Sequence, residues 1–129
     1  MSLEKDILEL REKTAIFQKG GGDAAIEKQN AMGKLTARER ILSLLDENSF
    51  YEYDLFVEHE ERNFGMDKKT LHGDGVITGI GTMFGNPVCI YAQDFTVMGG
   101  SLGLKHARKI TKIMDHALKM KVPCIGIND

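Results

Sequence analysis

Three stretches hold residue types whose chemistry reaches beyond packing. Gly99-Gly100-Ser101-Leu102-Gly103 stands between a short apolar run and a long helical pattern. Glycines at a helix start leave backbone N–H groups able to face an anion, and Ser101 equally suits the role of helix N-cap. The spacing does not fit G-x-G-x-x-G, so a dinucleotide fingerprint is not indicated. Lys34, Arg38 and Arg40 place three cations within seven residues near a helix start. They read either as a patch facing phosphate or as a solvated helix face with Glu39 and Asp46 nearby. Gly20-Gly21-Gly22 lacks the preceding strand and the Lys-Ser/Thr ending of a P-loop, and reads as a helix stop. His59-Glu60-Glu61 lacks the second histidine of a His-Glu-x-x-His site, because residue 63 is Asn. His106 and His116 read as ordinary helix-surface histidines. With no nucleophile elbow, zinc constellation or acid–base set, no catalytic residue and no metal ligand is nominated.

The elements that must position these residues follow from periodicity. Leu3 to Phe17 carries Ile7, Leu10, Thr14 and Phe17 at spacings of three or four, a helix pattern. Asp23 is placed to cap a second, polar helix to about Ala31. Thr36 and Glu39 have capping-box spacing, and Ile41, Leu42, Leu44 and Leu45 then form the expected buried side of a third helix. Phe50 to Val57 alternates loosely, as an edge strand or extended arm. Strands are expected at about 76–84 and 88–92, joined by Gly85-Asn86-Pro87 as an antiparallel hairpin. Gly79 and Gly81 mark a close neighbour or a bend. A helix at about 102–120 shows Leu104, Ala107, Ile110, Met114, Ala117 and Leu118 on the apolar face. Lys105, Arg108, Lys109, Lys112, Asp115, His116 and Lys119 make its polar face. A strand at 122–127 completes a βαβ unit whose strand ends could meet at one pocket, with the helices before residue 46 outside it.

Composition bounds the reading. The chain has 129 residues, 42% of them hydrophobic, and a formal charge of -2 from 17 Lys plus Arg against 19 Asp plus Glu. One domain is the natural size, and the charge balance argues against a nucleic-acid partner. No apolar run nears membrane-span length and no secretory signal opens the chain. Cys89 and Cys124 both fall in expected strands and read as free buried thiols of a cytoplasmic protein. The last residues form an apolar strand with no element after it, so the sequence reads as part of a longer chain.

Six blocks then occur in a familiar order: GKLTARERI at 33–41, SFYEYDLFVEH at 49–59, NFGMDKK at 63–69, GDGVITG at 73–79, QDFTVMGGSLG at 93–103 and IGIND at 125–129. With them the chain resembles, from about Ile7 onward, the start of the carboxyltransferase subunit of biotin-dependent acyl-CoA carboxylases and decarboxylases. Nearest in kind are the propionyl-CoA carboxylase beta and methylmalonyl-CoA decarboxylase alpha subunits.

The resemblance implies an α/β, crotonase-like β-β-α superhelix. Residues 1–48 would be an amino-terminal helical segment. Residues 49–129 would begin the acyl-CoA-binding domain and stop before its oxyanion loop, which continues in the family as Asp-Ser-Gly-Gly-Ala-Arg. It also implies transfer of a carboxyl group between carboxybiotin and the α-carbon of propionyl-CoA or methylmalonyl-CoA, with oxyanion donors for the thioester enolate. Biotin would arrive on a separate carrier protein or domain. The partners would be a biotin carboxyl carrier with biotin carboxylase, or a membrane decarboxylase subunit, around a homo-hexamer. Lys34, Arg38, Arg40, Gly99, Gly100 and Ser101 are the residues expected to meet the coenzyme A thioester. Alternatives are another acyl-CoA substrate, a decarboxylase of a sodium-pumping complex, and a non-catalytic binding or assembly module.

Overall fold

A computed structural model describes residues 2–55, 75–97 and 104–128, with the side chains of 104–106 outside the description. Its centre is a four-stranded sheet in the order β1 (Tyr51–Tyr53), β2 (Val76–Met83), β3 (Asn86–Gln93) and β4 (Cys124–Ile127). β1 and β2, and β2 and β3, pair antiparallel, whereas β3 and β4 pair parallel, with Cys89 opposite Cys124 and Ala92 opposite Ile127. Parallel neighbours need a crossover, and α4 (Leu104–Met120) supplies it. The hairpin and the βαβ unit expected from the sequence are therefore both present. β1 is the edge strand and is shorter than the stretch read as extended.

The hairpin turn is Phe84-Gly85, with φ of 51° and 77°. Two left-handed residues in a two-residue loop give the twist that suits antiparallel strands. A bulky residue at Phe84 is costly there, and Asp46 offsets the cost. Its carboxylate accepts the N–H groups of Phe84 at 3.0 Å and Gly85 at 2.9 Å and the Thr82 hydroxyl at 2.6 Å. Gly79 and Gly81 do mark close approach. A side chain at Gly79 would strike Tyr51 and Phe50, and one at Gly81 would sit 2.6 Å from Leu45.

Three helices precede the sheet: α1 (Leu3–Gln18), α2 (Asp23–Ala31) and α3 (Ala37–Leu44). α1 buries Phe17 but leaves Leu3, Ile7, Leu8 and Leu10 exposed, so most of its stripe is not covered by the described residues. Asp23 is the first residue of α2 rather than its cap. Gly22 is the N-cap, and the Asp23 carboxylate binds Lys19 instead, at 3.2 Å. The Thr36–Glu39 capping box of α3 is formed in both directions. α3 is not outside the sheet: Ala37, Ile41 and Leu45 pack with Ile77, Val88, Ile90 and Ala92 as one core. Leu42 and Leu44, expected inside, are exposed. Ala37, Ile41 and Leu45, spaced by four, form the line that faces the sheet, and Leu42 and Leu44 fall to either side of it.

α4 covers the other face. Its buried line is Lys109, Ile113 and Ala117, with Cys89 beneath. The expected face was rotated: Met114 and Leu118 are exposed and Lys109 is buried. The helix ends at Lys121, whose left-handed φ of 56° lets the Val122 N–H return to the Ala117 carbonyl at 3.0 Å. Cys89 is buried as expected, Cys124 is exposed, and neither is in a disulfide. Burial pushes both thiols up from their ordinary pKa, and Cys89 is raised further by Cys124.

Candidate functional site

Among the described residues, four enclosed charged side chains gather where α1, α3, β1, β2, β3 and α4 converge. Arg38 projects from the first turn of α3 toward β1. Its Nη2 donates to both Glu52 oxygens, at 2.9 and 2.7 Å, and its Nε donates to the Gln18 carbonyl at 3.2 Å. The pair is largely enclosed, with side-chain exposures of 20% and 10%. Burial raises the Glu52 pKa above the usual carboxylate range; attraction to Arg38, and then to Lys109, only partly offsets it. Lys109 enters from α4, and its Nζ donates to the Val76 carbonyl at 2.7 Å. Asp94 stands at the end of β3, where its Oδ1 accepts the Thr96 N–H at 3.0 Å and the Thr96 hydroxyl at 2.5 Å. These four charged side chains, with Gly20, Gly75 and Val97, line a cavity of about 20 Å³, room for one water at most. Two cations and two carboxylates balance there, and the space is too small for an acyl chain or a nucleotide.

A second, open space of about 550 Å³ lies along the outer side of α4 and β1. Tyr53, Arg108, Lys112, Asp115, His116 and Lys119 line it. Lys112 is held by Asp54 at 3.0 and 3.1 Å, and the Tyr53 hydroxyl lies 3.3 Å from His116 Nε2. His116 is thus half-buried against Tyr53 rather than an ordinary surface histidine.

The nominated residues do not all converge. Lys34 is exposed, Arg40 is half-buried, and Arg38 turns inward to Glu52. The start of α3 is closed by its own side chains. Glu39 accepts the Thr36 N–H at 2.8 Å and Asn30 Nδ2 at 3.1 Å, and these bonds hold its pKa below the usual range. A carboxylate therefore already occupies the positive end of that helix, and any phosphate contact there must come from the cationic side chains. Gly99, Gly100 and Ser101 lie outside the described residues, as do His59, Glu60 and Glu61. Among the described residues no group of three or more His, Cys, Asp or Glu could hold a metal ion, and no helix is long and apolar enough to cross a membrane. Glu52, Asp94, Thr96 and Lys109 were not nominated from sequence. Only Lys109 left a trace, standing at i−4 and i−8 from Ile113 and Ala117.

The profile of the carboxyl transferase domain matches residues 28–129. This chain belongs to the carboxyl transferase domain family. As a carboxyl transferase domain it is 53% identical over 128 residues to the methylmalonyl-CoA decarboxylase alpha subunit of Veillonella parvula. That alignment covers 99% of this chain and 25% of the relative. It is 55% identical over 126 residues to the propionyl-CoA carboxylase beta chain of Cereibacter sphaeroides, covering 97% and 25%. The crystal structure of transcarboxylase 12S, with methylmalonyl-coenzyme A and methylmalonic acid bound, superposes with a TM-score of 0.95 at 43% identity. It covers all of this chain and 25% of that one. The carboxyl transferase domain here thus spans about a quarter of the length of these relatives. Its strand–helix arrangement is the crotonase-like α/β fold of that structure.

Proposed function

We propose that this chain is the acyl-CoA side of a biotin-dependent carboxyltransferase, working as part of a longer subunit. The reaction moves a carboxyl group between carboxybiotin and the α-carbon of propionyl-CoA or methylmalonyl-CoA. The observation that carries this reading is the superposition of the whole chain on transcarboxylase 12S, a structure that holds methylmalonyl-coenzyme A. Residues 1–48 act as a helical segment whose α3 roofs the sheet, and residues 49–129 begin the acyl-CoA-binding domain. At least one of Lys34, Arg38 and Arg40 meets the coenzyme A phosphates, Arg38 being held by Glu52. Gly99, Gly100 and Ser101 meet the thioester. Biotin comes on a carrier partner, and the full subunits form a hexamer, in keeping with the hexamer assembly described for 12S. Two cysteines outside any disulfide favour the cytoplasm.

Identity to a decarboxylase subunit, 53%, is close to the 55% with a carboxylase subunit. Decarboxylation of methylmalonyl-CoA within a membrane complex is therefore the second reading. Calorimetric titration of the subunit carrying this chain tests the acyl-CoA assignment. Propionyl-CoA and methylmalonyl-CoA should both bind, with affinity falling as salt rises, and free propionate should not. Binding of the free acid and not of the thioesters would overturn the proposal.

A further inference from the structure

The triple glycine at 20–22 is not a phosphate cradle, and the structure gives it other work. Gly21 N–H donates to Thr96 Oγ1 at 3.1 Å, across 75 positions of sequence. The Thr96 hydroxyl has one proton, and that proton goes to Asp94 Oδ1 at 2.5 Å. Its lone pair is therefore the acceptor for Gly21, and the relay runs one way, from Gly21 through Thr96 to Asp94. Asp94 also receives the Thr96 N–H at 3.0 Å, and the Asp94 N–H reaches the Gly75 carbonyl at 2.8 Å.

The fit is close. A Cβ on Gly21 would overlap the Thr96 carbonyl, and one on Gly20 would overlap the Asp94 carboxylate and sit 2.8 Å from Thr96 Oγ1. Gly22 is the internal contrast: its φ is 95°, but nothing lies within 4 Å of a Cβ there. Gly20 and Gly21 are thus glycines for contact, and Gly22 for the turn alone.

The turn they hold is the exit of β3. Asp94 follows Ala92 by two residues, and Ala92 is opposite Ile127, near the carboxyl end of β4. The carboxyl ends of neighbouring parallel strands are where α/β sheets place ligands. We propose that Gly20, Gly21, Thr96 and Asp94 form a latch by which the amino-terminal helices set the β3 exit, making them positioning residues for acyl-CoA; this rests on the carboxyltransferase reading above. The latch is anchored, because Asp94 stands beside Lys109 and the Arg38–Glu52 pair.

The test uses the subunit carrying this chain, with Thr96→Val and the control Thr96→Ser. Valine keeps the shape and removes both hydrogen bonds; serine keeps both. Thr96→Val should raise KM for acyl-CoA and lower kcat/KM by about tenfold or more, while Thr96→Ser stays near the unsubstituted enzyme. A role in folding alone would lower kcat with the active fraction and leave KM unchanged, and that result would overturn the latch, as would unchanged kinetics. If Thr96→Val does not fold, deuterium exchange on the unsubstituted subunit decides. Acyl-CoA should slow exchange at the Gly21 and Thr96 amides, and no change at either would overturn the proposal. An unsubstituted subunit that neither binds nor turns over acyl-CoA would instead refute the functional reading on which the latch depends.

Discussion

Substituting Arg38 by Met leaves the Glu52 carboxylate enclosed without its partner at 2.7 Å. Breaking a buried pair from one side costs about 3–5 kcal/mol, so Arg38→Met should lower the denaturation midpoint of this chain well beyond Lys34→Met. A midpoint unmoved by Arg38→Met would mean that Glu52 does not need it. Asp46 makes a different prediction. Its carboxylate is held below the usual range by the Thr82 hydroxyl and the Gly85 and Phe84 amides. A depressed carboxylate stabilises above its unfolded pKa, and that contribution is lost as pH falls through the folded value. Acid should therefore destabilise the native chain progressively below about pH 4, and Asp46→Asn should flatten that part of the profile. Equal acid profiles for the two would contradict the hairpin clasp. The Thr36–Glu39 box was readable because both partners lie within one turn of helix. Arg38–Glu52 and Gly21–Thr96 were not, since nothing local marks partners 14 and 75 positions apart.

The same distinction separates the elements. β2, β3 and α4 carried strong periodicity and appear close to their expected bounds. The face that α4 presents was misread because hydrophobicity alone ranked Leu118 above Lys109. The sheet instead selects the line that includes Lys109, whose aliphatic stem packs while its ammonium finds the Val76 carbonyl. Ile113→Ala should cost about 2–5 kcal/mol, and Leu118→Ala, at 78% exposure, about 0.5 kcal/mol or less. Denaturant titration of the two variants checks the rotation, and the reverse order would restore the face expected from sequence. α1 shows the limit of pattern reading. Its apolar stripe was legible, but among the described residues none buries Leu3, Ile7 or Leu10.

For the whole molecule, the six sequence blocks carried the family, and two of them join a turn or cap to the element they start: the block at 33–41 opens α3 with its capping box and the block at 73–79 enters β2 through Gly75. The site was less legible. Of the nominated cations, Lys34 precedes α3, Arg40 lies on it half-buried and Arg38 is bound inward, and the glycine corner falls outside the described residues. What the sheet and its two covering helices provide is a rigid frame with two parallel strand ends side by side. On the proposed reading, that frame holds the thioester within reach of carboxybiotin. The most direct measurement follows the label from carboxyl-labelled methylmalonyl-CoA to a biotinylated carrier, using the subunit that carries this chain. Carboxyl transfer to biotin predicts label on the carrier, dependent on biotin, with propionyl-CoA formed in equal amount. Loss of the label without any transfer to biotin, or no reaction of the thioester at all, would contradict it.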